Sequence, residues 1–488
     1  MDTEKIYLNG IDGATGEYLV PPMDLNTASH LIRRVRSDED KQKENFLRRI
    51  WRVINATHLG LPLDIDPKRV EQAGWGIVFP QSDDAHAQAD DAIKAALAPL
   101  IAHRRRQINN DQIVKEMEYH SGEDRGRWLA RHGIGAGNIL PERVPYYLLF
   151  VGSPERIPLS FLHQLDVEYA VGLLHFDTPE EYAQYAQSVI AYDTDAGVPT
   201  ARQAAFFATR HRFDRATQMS ADQLVDPLTG SGGSATYPQG VTASCGFEVR
   251  KFREDDARKA ALAALLHPPP GEKPPSFLFT ASHGMGWPKG HAKQRAAQGA
   301  LLCQDWPGFG AVADAHYFAA DDVGPEARVH GLIAFFFACY GAGTPQRDKF
   351  IHVPGSPPPE IAERPFIAAL PRRLLAHPQG GALACIGHVE RAWGYSIVTP
   401  SAGAQLVPFE NAIAGILRGQ PVGHAMRDFN ERYAALSTSL ASMLEELSFG
   451  STAVSNFDLT SAWIGRNDAE GYLILGDPAV RLRVEGPA

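Results

Sequence analysis

FLFTASHG at 277–284 and GLIAFFFACYG at 331–341 decide the fold. Each is a short apolar run that ends at a chemically reactive residue and then a glycine. Runs of this length, rich in Phe and Ile, read as strands buried on both faces, as inside a parallel sheet. GALACIG at 381–387 is a third of the same kind. Ligands of an open parallel sheet collect beyond the carboxyl ends of its strands. His283 and Cys339, one at the end of each run, therefore fall in one crevice if the strands are neighbours. Gly284 and Gly341 leave room there for a peptide backbone.

Outward from this pair, strand and helix patterns alternate. WGIVF at 75–79, YYLLFVG at 146–152, AAFFATR at 204–210 and FEVRKF at 247–252 read as strands. Helices are expected at about 27–56, 85–107, 109–131 and 179–193, with two more within 408–447. The basic run HRRRQ closes the second of these, where cations suit the helix dipole, and Pro179 opens the fourth. The alternation predicts an α/β fold around a parallel sheet. LTGSGGSATYPQG at 228–240 is a loop. GIGAG at 133–137 precedes a strand, so it reads as a turn rather than a phosphate loop. The Pro- and Gly-rich stretch 340–362 is long enough for a functional or mobile loop.

The 488 residues are too many for one ordinary core and suggest two or three domains. With 47 basic and 57 acidic residues the chain carries −10, which gives no global attraction to nucleic acid or to anionic membranes. Neither is expected as a partner. The four cysteines, 245, 303, 339 and 385, form no CxxC, and there is no HExxH. No metal or other cofactor is expected. So few cysteines fit a reducing compartment. MDTEKIYLNG lacks a basic patch followed by an apolar run, and no stretch reaches the ~20 apolar residues of a spanning helix. The expected setting is soluble and cytoplasmic.

A thiol attacks well only as thiolate, and a nearby imidazole favours that state and can protonate a leaving amine. Cys339 and His283 fit those roles, with the Gly284 and Cys339 N–H groups as oxyanion donors. Cys303 and Cys385 sit in apolar surroundings and read as core residues.

ASHG after one apolar strand and FACYG after the next resemble the paired motifs of the clan that holds caspases, gingipains, separase and metacaspases. The 56-residue separation of His283 and Cys339 is near the roughly 50 of caspases. LILGDPAVRL at 473–482 resembles the closing segment of gingipain-like and CHAT peptidases. LLFVGSPERIP at 148–158 and LDVEYAVGLLHFDTPEEY at 165–182 resemble the first subdomain of gingipain-like enzymes. The likeness spans about 75–485, and the caspase QAC pattern is absent, since Phe337 and Ala338 precede Cys339.

The resemblance implies a three-layer caspase-like α/β fold with a mostly parallel central sheet. The expected parts are an N-terminal extension at 1–70, a smaller gingipain-type subdomain at 71–200 and a catalytic subdomain at 201–488. The implied activity is that of a cysteine peptidase, forming an acyl-enzyme through a Cys339–His283 dyad on a protein or peptide substrate. An activating protein partner is also expected, with 1–70 the place for it, and cleavage within 340–362 is an expected processing event. A fold relative without activity, kept as a scaffold, is the alternative. Two substrate pockets stay open. Arg210, Arg212 and Arg391 resemble the arginines that hold an acidic side chain in caspases. Asp305, Asp321 and Asp322 could instead hold a basic one, or orient His283, with Trp393 as an aromatic wall. Ion-pair loops, turn residues, helix caps and simple packing are the plainer roles for these residues.

Overall fold

The computed structural model describes residues 5–7, 9–34, 61–62, 64–135, 137–195, 197–198, 201–269, 271–348, 358–392, 397–399, 403–449 and 453–484. Ten strands form one sheet: β1 (Trp75–Pro80), β2 (Val114–Tyr119), β3 (Tyr147–Val151), β4 (Ala170–Leu174), β5 (Gln203–Ala208), β6 (Glu248–Arg253), β7 (Phe277–Ala281), β8 (Ile333–Phe337), β9 (Ala384–His388) and β10 (Tyr472–Gly476). Their spatial order is β2-β1-β3-β4-β10-β9-β8-β7-β5-β6. Every neighbouring pair is parallel except β9 with β10. The sheet is thus two parallel halves of opposite direction, joined at that one antiparallel seam.

β1, β3, β4, β7, β8, β9 and β10 are buried at every residue. A strand can be so buried only when both faces are covered, which makes the fold three-layered. The outer strands differ. β6, EVRKFR, is partly open at all positions and places charges on the sheet edge, which discourages edge-to-edge pairing. Helices α1 (Ala87–Ile108) and α2 (Pro179–Thr194) pack against each other. Thr178 and Glu181 close a reciprocal cap at the start of α2. No described helix is long and apolar enough to cross a membrane.

The α/β architecture and mostly parallel sheet agree with expectation. One element differs: 109–131 is not a helix but β2 followed by a short helix, Arg125–Arg131. Val114, Met117 and Tyr119 face inward while Glu116 and Glu118 are exposed, a near-alternating edge pattern that was read at the wrong period. β4 and β10 were unassigned as strands, although their sequences stood out. Helix Leu25–Arg34 is the described part of the charged helix expected at 27–56.

The GDP of the closing segment has a structural role. Asp477 is fully buried. Its carboxylate receives the Trp75 indole N–H (3.0 Å), the Arg104 guanidinium (2.8–2.9 Å) and the Ala479 N–H (3.0 Å). Its own N–H donates to the Tyr185 hydroxyl at 2.6 Å, which in turn donates to the Leu383 carbonyl at 2.9 Å. Burial alone would lower the Arg104 pKa, but Asp477 and Asp193 outweigh it and hold the guanidinium charged. Removing one member strands a buried charge, at a cost of about 3–5 kcal/mol. Asp477→Ala should lower the unfolding free energy by that amount, read as a lower denaturant midpoint, and Arg104→Leu added to it should restore a large part. A midpoint unchanged in the single variant would show that the pair does not hold the sheet.

Candidate active site

β7 and β8 pair in register, Ala281 beside Phe337, so the segments after them leave the sheet side by side. The chain passes from β5 out to the edge strand β6 before returning on the other side of β5 as β7. Loops after β5 and β7 therefore diverge and open a crevice. His211 and Asp214 come from the first loop and His283 from the second, with Cys339 just after β8.

His283 is fully buried. Its Nε2 bonds the Asp214 carboxylate, and its Nδ1 accepts the Gly10 N–H at 2.9 Å. A donor on Nδ1 fixes the ring proton on Nε2, which donates it to Asp214. Asp214 also accepts from the Tyr18 hydroxyl, from the Thr217 hydroxyl at 3.0 Å, and from the Ala216 N–H at 3.0 Å, where it caps helix Arg215–Ser220. Burial raises this carboxyl, but interaction with His283 and the hydrogen bonds from His283, Tyr18 and Thr217 outweigh it and hold it well below the usual range. His211, beside it, is pushed down to about 4, first by burial and then by His283.

Cys339 is also fully buried. Its Sγ lies 2.5 Å from the Asn9 carbonyl oxygen and accepts the Ala392 N–H at 3.3 Å. Burial pushes the thiol well above its ordinary value, with the Ala392 N–H pulling the other way. Tyr340 (φ 57°) and Glu390 (φ 79°) turn the chain sharply just past β8 and β9, and the Tyr340 N–H donates to the Glu390 carbonyl. Left-handed backbone at non-glycine residues costs about 1–3 kcal/mol and gathers at functional sites. Gly284 lies on the Cys339 main chain: a Cβ would come within 1.8 Å of the Cys339 carbonyl oxygen, so no other residue fits.

Two groups in this crevice were missed. Asp214 was legible only as a helix cap in FDRAT. The segment 9–19 threads the site. Asn9 N–H donates to the Ala392 carbonyl at 3.2 Å, Ile11 N–H to Gly284 at 3.4 Å and Gly13 N–H to Gly286 at 2.9 Å. Ile11–Asp12 pairs in parallel with Met285–Gly286. The Tyr18 ring stands edge-on to His283, centroids 5.6 Å apart.

The other expected residues fall elsewhere or are already engaged. Asp305 accepts the Lys259 N–H (2.7 Å) at the start of helix Lys259–Leu266. Asp322 accepts the Ala319 N–H (2.9 Å) and pairs with Lys259 Nζ (2.7 Å), with Asp321 exposed in the same turn. None of the three orients His283; Asp214 does. Arg210 is held by Asp222 (2.9 Å) and Glu254 (3.5 Å). Arg212 is exposed, its guanidinium 5.7 Å from the Phe213 ring centroid. Arg391 is buried and engaged by Asp348 and by Glu390 (3.0 Å). Trp393 and 349–357 of the expected processing loop lie outside the described residues. Cys303 and Cys385 are buried, and burial pushes both thiols up.

No protein-family model matches the sequence, and no curated protein matches it closely. Among solved structures, the chain is similar to one titled "Structure of Protease", at 13% identity and TM-score 0.46, over 84% of this chain and 78% of that one. It is also similar to the complex of the pro- and mature domains of Porphyromonas gingivalis RgpB, at 11% identity and TM-score 0.45, over 85% and 81%. The Arg-specific cysteine proteinase gingipain R (RGPB) aligns at 12% identity and TM-score 0.42, over 85% and 80%.

Proposed function

We propose that this crevice is the active site of a cysteine endopeptidase, with Cys339 as nucleophile and His283 as acid and base. One observation carries the reading. A single peptide bond, Asn9–Gly10, has its carbonyl on the Cys339 thiol and its N–H on His283 Nδ1. These contacts put a peptide bond beside the thiol that would attack its carbon and the imidazole that would protonate its departing nitrogen.

The roles follow from the tautomer. Nδ1 carries no proton, so it can take the one on Sγ as the sulfur attacks. Asp214 holds Nε2–H and stabilises the imidazolium that forms. Gly284 and Cys339 N–H groups, which have no acceptor among the described residues, are the donors for the oxyanion. The imidazolium then protonates the leaving amine, and the neutral ring activates water to release the acyl group. Arg210 and Arg391 already have carboxylate partners, which counts against an acidic side-chain pocket built from them. A protein or peptide is the substrate class.

Cys339→Ala should abolish peptide cleavage and labelling by a peptidyl electrophile while the circular dichroism spectrum is unchanged. Cleavage at the wild-type rate by that variant would refute the assignment. Asp214 is a positioning residue. Asp214→Asn should lower kcat by about 10²-fold or more with little change in KM, and Asp214→Glu should recover part. A pH–rate profile identical to wild type in Asp214→Asn would remove Asp214 from the mechanism.

The folded Asp214 carboxyl titrates below its unfolded value of roughly 3.9. Its ionisation therefore stabilises the fold fully above about pH 4, and that contribution fades as pH falls toward the folded value. Relative to wild type, Asp214→Asn should lose more stability at pH 7 than at pH 3, read by denaturant midpoints at both.

A further inference from the structure

We infer that the Asn9–Gly10 bond is itself a substrate of this site: the chain cuts itself there, and the position beside Cys339 takes a short, uncharged amide side chain. The inference rests on the peptidase reading and goes beyond it to a particular bond and side chain.

The seat is built from both sides of the bond. Upstream, Asn9 N–H is held by the Ala392 carbonyl, and Lys5–Ile6 pairs antiparallel with Met23–Asp24. Ile6 is buried with Val20, Ala28 and Ile464. Downstream, the Gly284 and Gly286 carbonyls receive Ile11 and Gly13, and Val312 N–H donates to the Gly13 carbonyl at 3.3 Å. Backbone contacts on both flanks register the bond between them over sulfur and imidazole. Position 10 must be glycine for this approach. Its φ is +115°, and a Cβ would lie 3.1 Å from Cys339 Sγ and 2.8 Å from Leu19 Cδ1.

Asn9 is 2% exposed. Arg391, the chain neighbour of Ala392, is a buried guanidinium already shared by Asp348 and Glu390. A charged residue at position 9 would be buried in the crevice with no opposite charge supplied for it, which is costly. A neutral amide avoids most of that cost. Its Oδ1, without a partner among the described residues, costs far less than an unpaired charge.

The step balances. A bond forms between Sγ and the Asn9 carbonyl carbon, and the carbon–nitrogen bond to Gly10 breaks. The thiol proton passes through His283 to Gly10, which leaves as an amine. Water then cleaves the thioester, giving an Asn9 carboxylate and the thiol. The downstream contacts, Tyr18 on Asp214 among them, involve residues after the cut and do not depend on residues 1–9.

The test is intact mass and N-terminal sequencing of the full chain against time, for wild type, Cys339→Ala, Asn9→Asp and Gly10→Val. A synthetic peptide of residues 4–15, EKIYLNGIDGAT, is supplied in parallel. Wild type should lose residues 1–9 and begin at Gly10, and Cys339→Ala should stay whole. The two segment variants should be cut at least tenfold more slowly, yet label faster at Cys339 with a peptidyl electrophile, which shows that they are folded and open. A wild-type chain that cuts added peptides through Cys339 but stays whole overturns self-cleavage and leaves the peptidase reading standing. Scission of Cys339→Ala at the wild-type rate overturns it as well, because an Asn–Gly bond would then be breaking without the thiol. A chain that cuts neither itself nor any peptide overturns both readings.

Discussion

A carboxylate with no access to water closes this sheet. Asp477 persists as an ion because Arg104, Trp75 and the local backbone supply its donors, and without them its burial would be prohibitive. It follows β10, the strand that joins the two parallel halves, and it reaches back to β1 and α1 from the start of the fold. β10 and Asp477 must therefore be present before the seam can form. β9 takes its register from β10, β8 from β9 and β7 from β8. The positions of Cys339 and His283 thus follow from a contact made at the far end of the sequence.

The crevice shows the same economy of placement. Asp214, His283 and Cys339 follow three separate strands and meet only in space. Asp214 and Gly10 fix the His283 ring from opposite sides, and Gly284 lets the β7 and β8 segments touch main chain to main chain. Strained turns at Tyr340 and Glu390 store backbone energy beside the thiol.

Much of this was legible in the sequence, for a physical reason. β7, β8 and β9 are buried on both faces, so their composition is dictated by burial alone and reads plainly. His283, Cys339 and Gly284 sit where such runs stop. β2 was misread because an edge strand keeps one open face, and VKEMEY can be taken for one side of a helix. Asp214 was hidden because its role lies in space: the nearest sequence signal is a capping motif, shared by most helices. Asp305, Asp321 and Asp322 attracted attention by lying between the two motifs, yet sequence intermediacy brought none of them to the imidazole. The segment Asn9–Gly10 is the hardest case. Its glycines look like an ordinary turn, and only the three-dimensional path shows that what they permit is contact with a thiol.

That contact also explains an apparent conflict in the site. A nucleophilic thiol should be easily ionised, yet burial pushes Cys339 the opposite way. Part of that burial comes from residues 9–19, which fill the crevice, and water reaching the sulfur would ease the penalty on thiolate. The proposed attack needs no thiolate in advance, because in it His283 Nδ1 takes the proton during the step. With the segment seated, sulfur, base and peptide bond are held together and dry. With Asn9 released, the sulfur loses the carbonyl that covers it, and water reaching it would ease ionisation. On the proposed reading, residues 9–19 would tune the thiol through desolvation, without any residue of the sheet having to move.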